Sequence, residues 1–304
     1  MSTNIEWTDV TDNIIVALIG GWWCRMKNLL CANCYAATIN LNSFFGGNKL
    51  KYSGKPPELV LKREIIEGWK RQRKPRKHFV ASMTDVFGEW VSRAWQFEFL
   101  DGMLAAPLQT FQLLTKRPAV MLKAVKYWMA ARGIETPPHN IWLGFSAGTQ
   151  ETFDEAWPYM KQLAEMGCTV FVSLEPLIGP VTLPDDFLAF GKRVQVITGG
   201  ESGKKKQKVR PSHPEWFMSL RDQCVAAGVP FFFKQWGEYA SYTYGYLDAD
   251  EILKHPHMTI DIDGRVLNDE DDDRRASLMV RVGKKRAGRV LQGRTWSQFP
   301  EVRA

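Results

Sequence analysis

Three of the five cysteines, Cys24, Cys31 and Cys34, fall within eleven residues in the spacing C-x6-C-x2-C. Gly20-Gly21-Trp22-Trp23 leads into them, and the five histidines (His78, His139, His213, His255 and His257) are all distant in the chain. Three thiolates with no fourth ligand nearby suit a [4Fe–4S] cluster that keeps one iron open. S-adenosylmethionine (SAM) can chelate such an iron through its amino and carboxylate groups. Structural zinc wants four protein ligands, so a zinc reading needs one from elsewhere in the fold. Cysteines that merely fill a core are a third reading, and the glycines and polar residues of the loop argue against it.

Other chemically capable residues lie in short polar segments that directly follow apolar runs. Ser82 and Asp85 can bind an amino group or a ribose, or cap a helix or turn. Lys116, Arg117 and Lys234 can hold a carboxylate or a phosphate. Glu175, before Pro176, is an acid placed to face a substrate. Gly199-Gly200-Glu201-Ser202-Gly203 offers close backbone approach, a carboxylate and a hydroxyl. Ser146 and Gln235 occupy similar places, and Trp22 and Trp23 either stack on adenine or a target base or pack beside the loop.

The elements that must position these residues read as a β/α alternation. An apolar run over 14–19 predicts a first buried strand, with the cysteine loop after it and a helix start at Cys34. Residues 59–72 carry apolar positions at helical spacing. Strands follow at 78–83, 111–114, 141–145, 169–174, 194–198 and 230–233, with helices at 94–105, 119–131, 151–166 and 214–227. Short apolar strands separated by amphipathic helices indicate a parallel sheet covered on both faces. The fold class is therefore α/β, a full or partial parallel (β/α) barrel of about six to seven strands. Active sites of such folds lie at the C-terminal strand ends, where all the polar segments fall. After Gly237 the pattern changes to a hairpin over 259–267 with an Asp-Gly turn, an acidic run over 269–273, and strands at 279–283 and 288–291. This predicts a barrel over 1–237 with its cluster loop at 20–35, and a small β-rich appendage over 238–304.

Composition agrees with a globular chain: 45% hydrophobic and 24% charged residues. No apolar run is long enough for a membrane span and the N-terminus does not read as a signal peptide, so a reducing cytosol is expected. Cys168 and Cys224 sit in apolar contexts and are expected to be buried thiols. The net charge of +7, with basic clusters over 70–77, 204–208 and 284–286, and the twelve tryptophans fit a nucleic-acid partner.

Several segments together resemble a known family. They are Ile5-Glu6-Trp7-Thr8-Asp9, Cys31-Ala32-Asn33-Cys34-Tyr35-Ala36, Leu113-Leu114-Thr115-Lys116-Arg117-Pro118, the 173–180 and 199–203 segments, Phe231-Phe232-Phe233-Lys234-Gln235-Trp236-Gly237 and Arg281-Val282-Gly283-Lys284-Lys285. They are similar to the phage-associated three-Cys-motif family of radical-SAM-like proteins. The usual superfamily spacing is C-x3-C-x2-C; here the first gap is six. Where members show Trp-Asn-Pro after the N-terminal Thr-Asp, this chain has Asp12-Asn13-Ile14, and Trp23 replaces the glycine before the first cysteine.

The resemblance implies a [4Fe–4S] cluster on Cys24, Cys31 and Cys34. With SAM as the ligand, the strand-end positions are expected to supply its contacts among Ser82, Asp85, Lys116, Gly199, Gly200, Glu201 and Ser202, with Glu175 and Lys234 as catalytic residues. The resemblance further implies a radical isomerase of phage DNA thymine hypermodification, moving glycine from a nitrogen link to an α-carbon link on the 5-methylene of thymine by way of a 5′-deoxyadenosyl radical. The implied partners are DNA and an electron donor such as flavodoxin or ferredoxin, with no membrane, in the host cytoplasm during phage infection. Two other readings remain: a radical SAM lyase or repair enzyme on modified bases, and a zinc-stabilised nucleic-acid-binding module.

Overall fold

A computed structural model describes residues 3, 5–204, 206–245, 247–268, 270, 271 and 273–301, except for the side chain of residue 251. The chain is α/β, a partial parallel (β/α) barrel with a small antiparallel sheet near its C-terminal end. Seven strands form the main sheet in the order β1-β4-β5-β6-β7-β8-β9. By internal contacts the chain divides into two compact units. One holds Met1–Ser146, Ala156–Phe171 and Glu301–Ala304; the other holds Ala147–Glu155 and Val172–Pro300.

The elements run in chain order as follows. β1 (Val10–Asp12), β2 (Ile15–Ala17), α1 (Tyr35–Asn40), β3 (Leu59–Leu61), α2 (Arg63–Arg71) and β4 (Lys77–Val80) come first. Then come α3 (Arg93–Leu104), β5 (Thr110–Thr115), α4 (Pro118–Arg132), β6 (Ile141–Ala147), α5 (Gln150–Glu165) and β7 (Thr169–Leu174). They are followed by α6 (Asp185–Leu188), β8 (Val194–Gly199), α7 (Pro214–Ala227) and β9 (Phe231–Gln235). The chain closes with β10 (Ala240–Ser241), α8 (Ala249–Lys254), β11 (His257–Ile260), β12 (Val266–Leu267), β13 (Ser277–Val280) and α9 (Lys284–Ala287).

In the first unit, parallel pairing runs from β1 to β4 (Val10 opposite His78), on to β5 (His78 opposite Phe111) and to β6 (Phe111 opposite Ile141). The helix limits follow from their caps. Ser92 accepts from the backbone N–H of Trp95 at 3.2 Å to start α3, and Pro118 opens α4, where a missing N–H costs nothing. Gly133, left-handed at φ 62°, closes α4. Aromatic side chains fill the space under the sheet: Trp7 lies 4.6 Å from Phe79 and 6.0 Å from Phe171, and Trp69 lies 4.7 Å from Phe111. Gly144 in β6 has no room for a side chain, because a Cβ there would come within 2.2 Å of the Phe171 ring. Asp12 ties α2 to the sheet, accepting from the Trp69 indole at 2.8 Å and facing His78 Nδ1 at 2.6 Å. Burial works to raise the Asp12 carboxyl, but these two hydrogen bonds and the His78 charge hold it below the usual range.

In the second unit, β8 pairs in parallel with β9. α7 starts at Pro214, ends at left-handed Gly228 and lays Phe217 5.0 Å from Phe233 and 5.3 Å from Trp236. The antiparallel sheet has the order β10-β13-β11-β12, over a small core of Val209, Tyr239, Ile260 and Met279.

The β/α alternation predicted from sequence is present, and strand 169–174 and helix 214–227 fall on their predicted limits. The hairpin over 259–267 also forms, turning at left-handed Gly264. Three expectations are corrected. The first strand of the main sheet is β1, not 14–19. β2 instead pairs antiparallel with β3 in a separate ribbon, and Leu18 and Ile19 are 61% and 67% exposed because the chain turns back at once through Gly20 and Gly21. Leu59–Leu61 is the partner strand of that ribbon rather than the first turn of a helix; pairing with β2 takes its backbone groups. Residues 288–291 form no strand: α9 ends at Ala287 and only an isolated bridge joins Leu291 to Arg294. Lys205 of the 204–208 cluster and Asp269 and Asp272 of the acidic run lie outside the described residues. Cys168 and Cys224 are buried free thiols, as expected. Among the described residues no helix is long and apolar enough to cross a membrane.

Candidate cofactor site

The cysteine loop is held at the C-terminal ends of β4 and β5. Thr84, four residues past β4, donates to the carbonyl of Trp23 at 2.6 Å. Tyr35 donates to the carbonyl of Ser82 at 2.6 Å, and Tyr52 to that of Met83 at 2.8 Å. Arg117, two residues past β5, donates to the carbonyl of Arg25 at 3.3 Å. Cys31 ends a short 3-10 turn capped by Asn28, and Cys34 stands at the start of α1. Cys24 and Cys34 both pack against the cluster of Ala36, Ala37, Tyr52 and Met83.

The surroundings of the sulfurs suit thiolates that bind a positive group. Burial pushes the Cys24 thiol up to about 12; the Asp85 and Cys34 charges add to this, while the Asp85 backbone N–H and Arg117 favour the thiolate. Burial also raises Cys34, opposed by the backbone N–H groups of Ala36 and Ala37 and by Lys116, and the charge of Cys31 acts on it. The bare Cys24 and Cys34 thiols thus favour the protonated form, and a metal that takes the protons' place would find backbone N–H donors and two cations around it. Among the described residues, no three His, Cys, Asp or Glu side chains are grouped to hold a single metal ion. A cluster does not ask for that arrangement, since its cysteines bind separate irons. Three thiols with backbone N–H donors and cations around them are a donor set that a three-cysteine cluster could use.

Two networks position the loop. Asp85, 7% exposed, accepts from Thr115 Oγ1 at 2.8 Å, the Phe87 and Lys116 backbone N–H groups at 3.0 and 3.1 Å, and Arg117 Nη1 at 3.1 Å. Arg117 is itself buried, with its guanidinium over the Trp90 ring at 4.7 Å. So Asp85 and Arg117, both read from sequence as ligand contacts, spend their charges on each other and lock the β4 and β5 ends together. Lys116 keeps an ammonium that reaches Ser146 Oγ at 3.4 Å and influences Cys34. Ser82 is half-buried, donating to Asn13 at 3.3 Å.

The second network was missed in the sequence. Asn40, fully buried, accepts from the Trp22 backbone N–H at 2.9 Å and donates to Asn48 Oδ1 at 2.7 Å and the Leu50 carbonyl at 3.0 Å. Asn48 donates to the carbonyls of Gly20 and Trp22. The two amides staple the entry of the cysteine loop to the segment after α1. Gly47 is required there, because a Cβ would sit 2.2 Å from the Asn40 carbonyl oxygen. The signal was an asparagine at each end of an Asn-rich segment containing Gly46-Gly47. Asn40→Ala should cost about 1–3 kcal/mol, the penalty for buried polar groups left unpaired. Urea titration would measure it, and a loss under 0.5 kcal/mol would show that water replaces the amide.

In the second unit, Glu175 and Lys234 meet: Lys234 Nζ lies 3.3 Å from Glu175 Oε2, which also accepts from Ser173 at 3.2 Å. Glu175 Oε1 and Gln235 Oε1 are buried without a hydrogen-bond partner. Gly199 leaves the space beside them, since a Cβ would come within 2.9 Å of Glu175 Oε1. A buried carboxylate oxygen without a donor is costly, and an N–H or O–H of a ligand would satisfy it. Gly200 serves the packing of β8 on β9: its Cβ would lie 1.9 Å from the Trp236 carbonyl oxygen. Glu201 is buried in an ion pair with Arg210, accepting from its backbone N–H at 2.8 Å and its Nε at 3.0 Å. Ser202 is half-buried beside it.

Of the basic clusters, Arg73, Lys74 and Arg76 line a cavity of about 320 Å³, and Lys284, Lys285 and Arg286 lie on α9.

A family model described as "Protein of unknown function (DUF5131)" matches residues 2–300, and the chain belongs to that family. No curated protein matches the sequence. Among solved structures, a cysteine-to-serine mutant of spore photoproduct lyase is similar at 11% identity and TM-score 0.41, over 92% of this chain and 70% of that one. Spore photoproduct lyase complexed with dinucleoside spore photoproduct is similar at 12% identity and TM-score 0.37, over 88% of this chain and 67% of that one.

Proposed function

We propose that this DUF5131 protein is a radical SAM enzyme that acts on a modified base in DNA. The observation that carries the reading is the tethering of the loop of Cys24, Cys31 and Cys34 to the ends of β4 and β5, with backbone N–H donors and the cations Lys116 and Arg117 acting on its thiols. Cys24, Cys31 and Cys34 would hold a [4Fe–4S] cluster with one iron left for SAM. Cluster and SAM, when bound, would supply a carbon radical able to abstract an unactivated hydrogen.

The chain's own residues then have separable tasks. Asp85 and Arg117 fix the strand ends that carry the loop, and Asn40 and Asn48 fix its entry. Lys116, whose ammonium meets the neutral Ser146 hydroxyl, could hold a carboxylate, of SAM or of the substrate. In the second unit, Glu175 Oε1 lacks a donor and would accept an N–H or O–H of a ligand, while Lys234 holds the other oxygen.

The substrate reading that the sequence resemblance supports is thymine carrying glycine through nitrogen on its 5-methylene. The product carries the same glycine through its α-carbon. The C–N bond to the methylene breaks, a C–C bond forms and one hydrogen passes from carbon to nitrogen, so the conversion is redox-neutral. A glycyl α-hydrogen is poorly acidic, whereas a radical at that carbon is stabilised by the neighbouring nitrogen and carboxylate. DNA bearing N-linked glycyl-thymine, incubated with reconstituted protein, SAM and a reductant, should yield a new nucleoside of unchanged mass. An unchanged nucleoside profile with SAM consumed would contradict the isomerase, and release of the modified base substituent would make the enzyme a lyase.

A further inference from the structure

Phe44 and Phe45 stand out on the surface, at 87% and 57% exposure. They sit in a 3-10 turn (Ser43–Phe45) whose form is set by its own hydrogen bonds. Asn42 Oδ1 accepts from the Phe44 backbone N–H at 3.0 Å, and the Asn42 carbonyl accepts from Phe45 and Gly47 at 3.2 and 3.1 Å. Gly46 closes the turn in the left-handed region at φ 78°. The rings meet edge to face, with centroids 5.3 Å apart. A stiff turn thus carries two large apolar rings into solvent, where nothing intramolecular rewards their exposure.

The place of the turn is informative. A Cβ on Gly46 would lie 4.0 Å from the Trp22 ring, and Trp22 is two residues before Cys24. Asn40, which staples Trp22, ends the helix that leads into the turn. The surrounding chain is basic throughout: residues 13–57 contain Arg25, Lys27, Lys49, Lys51 and Lys55 and no Asp or Glu. All five cations are exposed. Protruding aromatic rings inside an acid-free basic segment match a polyanion whose interior is a stack of flat bases.

We propose that Phe44 and Phe45 form a wedge that enters the base stack of DNA beside the cysteine loop, opening the duplex so that a base can leave it. This rests on the reading of the protein as a DNA-base enzyme. Chemistry on a base atom inside a duplex requires the base to be extruded, and an apolar ring that takes its place in the stack offsets part of the unstacking cost. The flanking lysines and Arg25 would hold the phosphates on either side.

The test uses the full-length protein and a DNA duplex with 2-aminopurine opposite thymine, whose fluorescence rises on unstacking. The wild-type protein should raise the signal several-fold. The double variant Phe44→Ala/Phe45→Ala should lose more than half of that rise and bind roughly 5- to 150-fold more weakly, the effect of removing a stacking ring. Both residues are exposed, so the variant should keep the wild-type melting temperature, and Phe44→Tyr/Phe45→Tyr should retain the signal. Equal fluorescence from wild type and double-alanine variant, with SAM still cleaved, would overturn the wedge and leave the enzyme reading standing. Duplex opening by the wild type without any SAM cleavage would do the reverse. Duplex opening unchanged in the variant, with loss only of turnover driven by a reduced flavoprotein, would assign the rings to an electron-donor protein and overturn the wedge.

Discussion

Cys34→Ala, reconstituted anaerobically with iron and sulfide, should hold well under one iron per chain against about four for the wild type, and should cleave SAM at background rate. Three thiolates bind three corners of a cluster, and α1 presents the Ala36 and Ala37 backbone N–H groups to the third of them. Removing that ligand leaves a two-point attachment, and Asp85, the carboxylate that acts on Cys24, is already held by Arg117 and Thr115. Cys24→Ala and Cys31→Ala should behave alike, although Cys31 is buried and Cys24 and Cys34 are half-buried. Cys168→Ala and Cys224→Ala provide the contrast. Both thiols are deep in apolar surroundings, burial holds Cys168 at about 12 and pushes Cys224 further up, and neither should change iron content. Iron retained by all three loop variants would mean that the ligands lie elsewhere.

Asp85→Ala should destabilise the protein by about 3–5 kcal/mol, because it strands Arg117 as a buried charge. Arg117 is 5% exposed, and its other oxygen partners are the Arg25 carbonyl at 3.3 Å and Glu89 at 3.7 Å. The Thr115 hydroxyl and the backbone N–H groups of Phe87 and Lys116 lose their acceptor at the same time. Arg117→Met on the Asp85→Ala background should recover part of the loss, since removing both charges is cheaper than removing one. Denaturant titration of the four proteins closes the cycle. A single-variant loss under 1 kcal/mol would show that water reaches the site. If the network positions the cysteine loop, Asp85→Ala should also lower iron retention at temperatures where the chain is still folded.

The sequence made the β/α alternation legible because each main-sheet strand is a short apolar run set between helices with clear caps, such as Ser92 and Pro118 before α3 and α4. Its errors fell where local pattern and pairing disagree. Ile14–Ile19 is as apolar as any core strand, yet only Ile15–Ala17 pairs, and with a strand whose leucines also suit a helix. The cysteines could be singled out by type and spacing. The roles of Asp85, Glu201 and Gly200 could not, because a carboxylate at a strand end looks the same whether it awaits a ligand or is already satisfied. Arg117 and Arg210 consume two of those carboxylates, and Gly200 answers to the Trp236 carbonyl. Glu175 differs: one of its oxygens is buried with no donor, and no local sequence pattern encodes that. Asn40 was overlooked because a buried amide network has no periodicity to read.

Anaerobic reconstitution of the wild-type chain, followed by iron counting and assay of SAM products, tests the central claim most directly. About four irons per chain, an absorption and spin signature of a [4Fe–4S] cluster, and 5′-deoxyadenosine formed from SAM on reduction are expected. Tight binding of one zinc with no iron uptake and no SAM cleavage would contradict that claim.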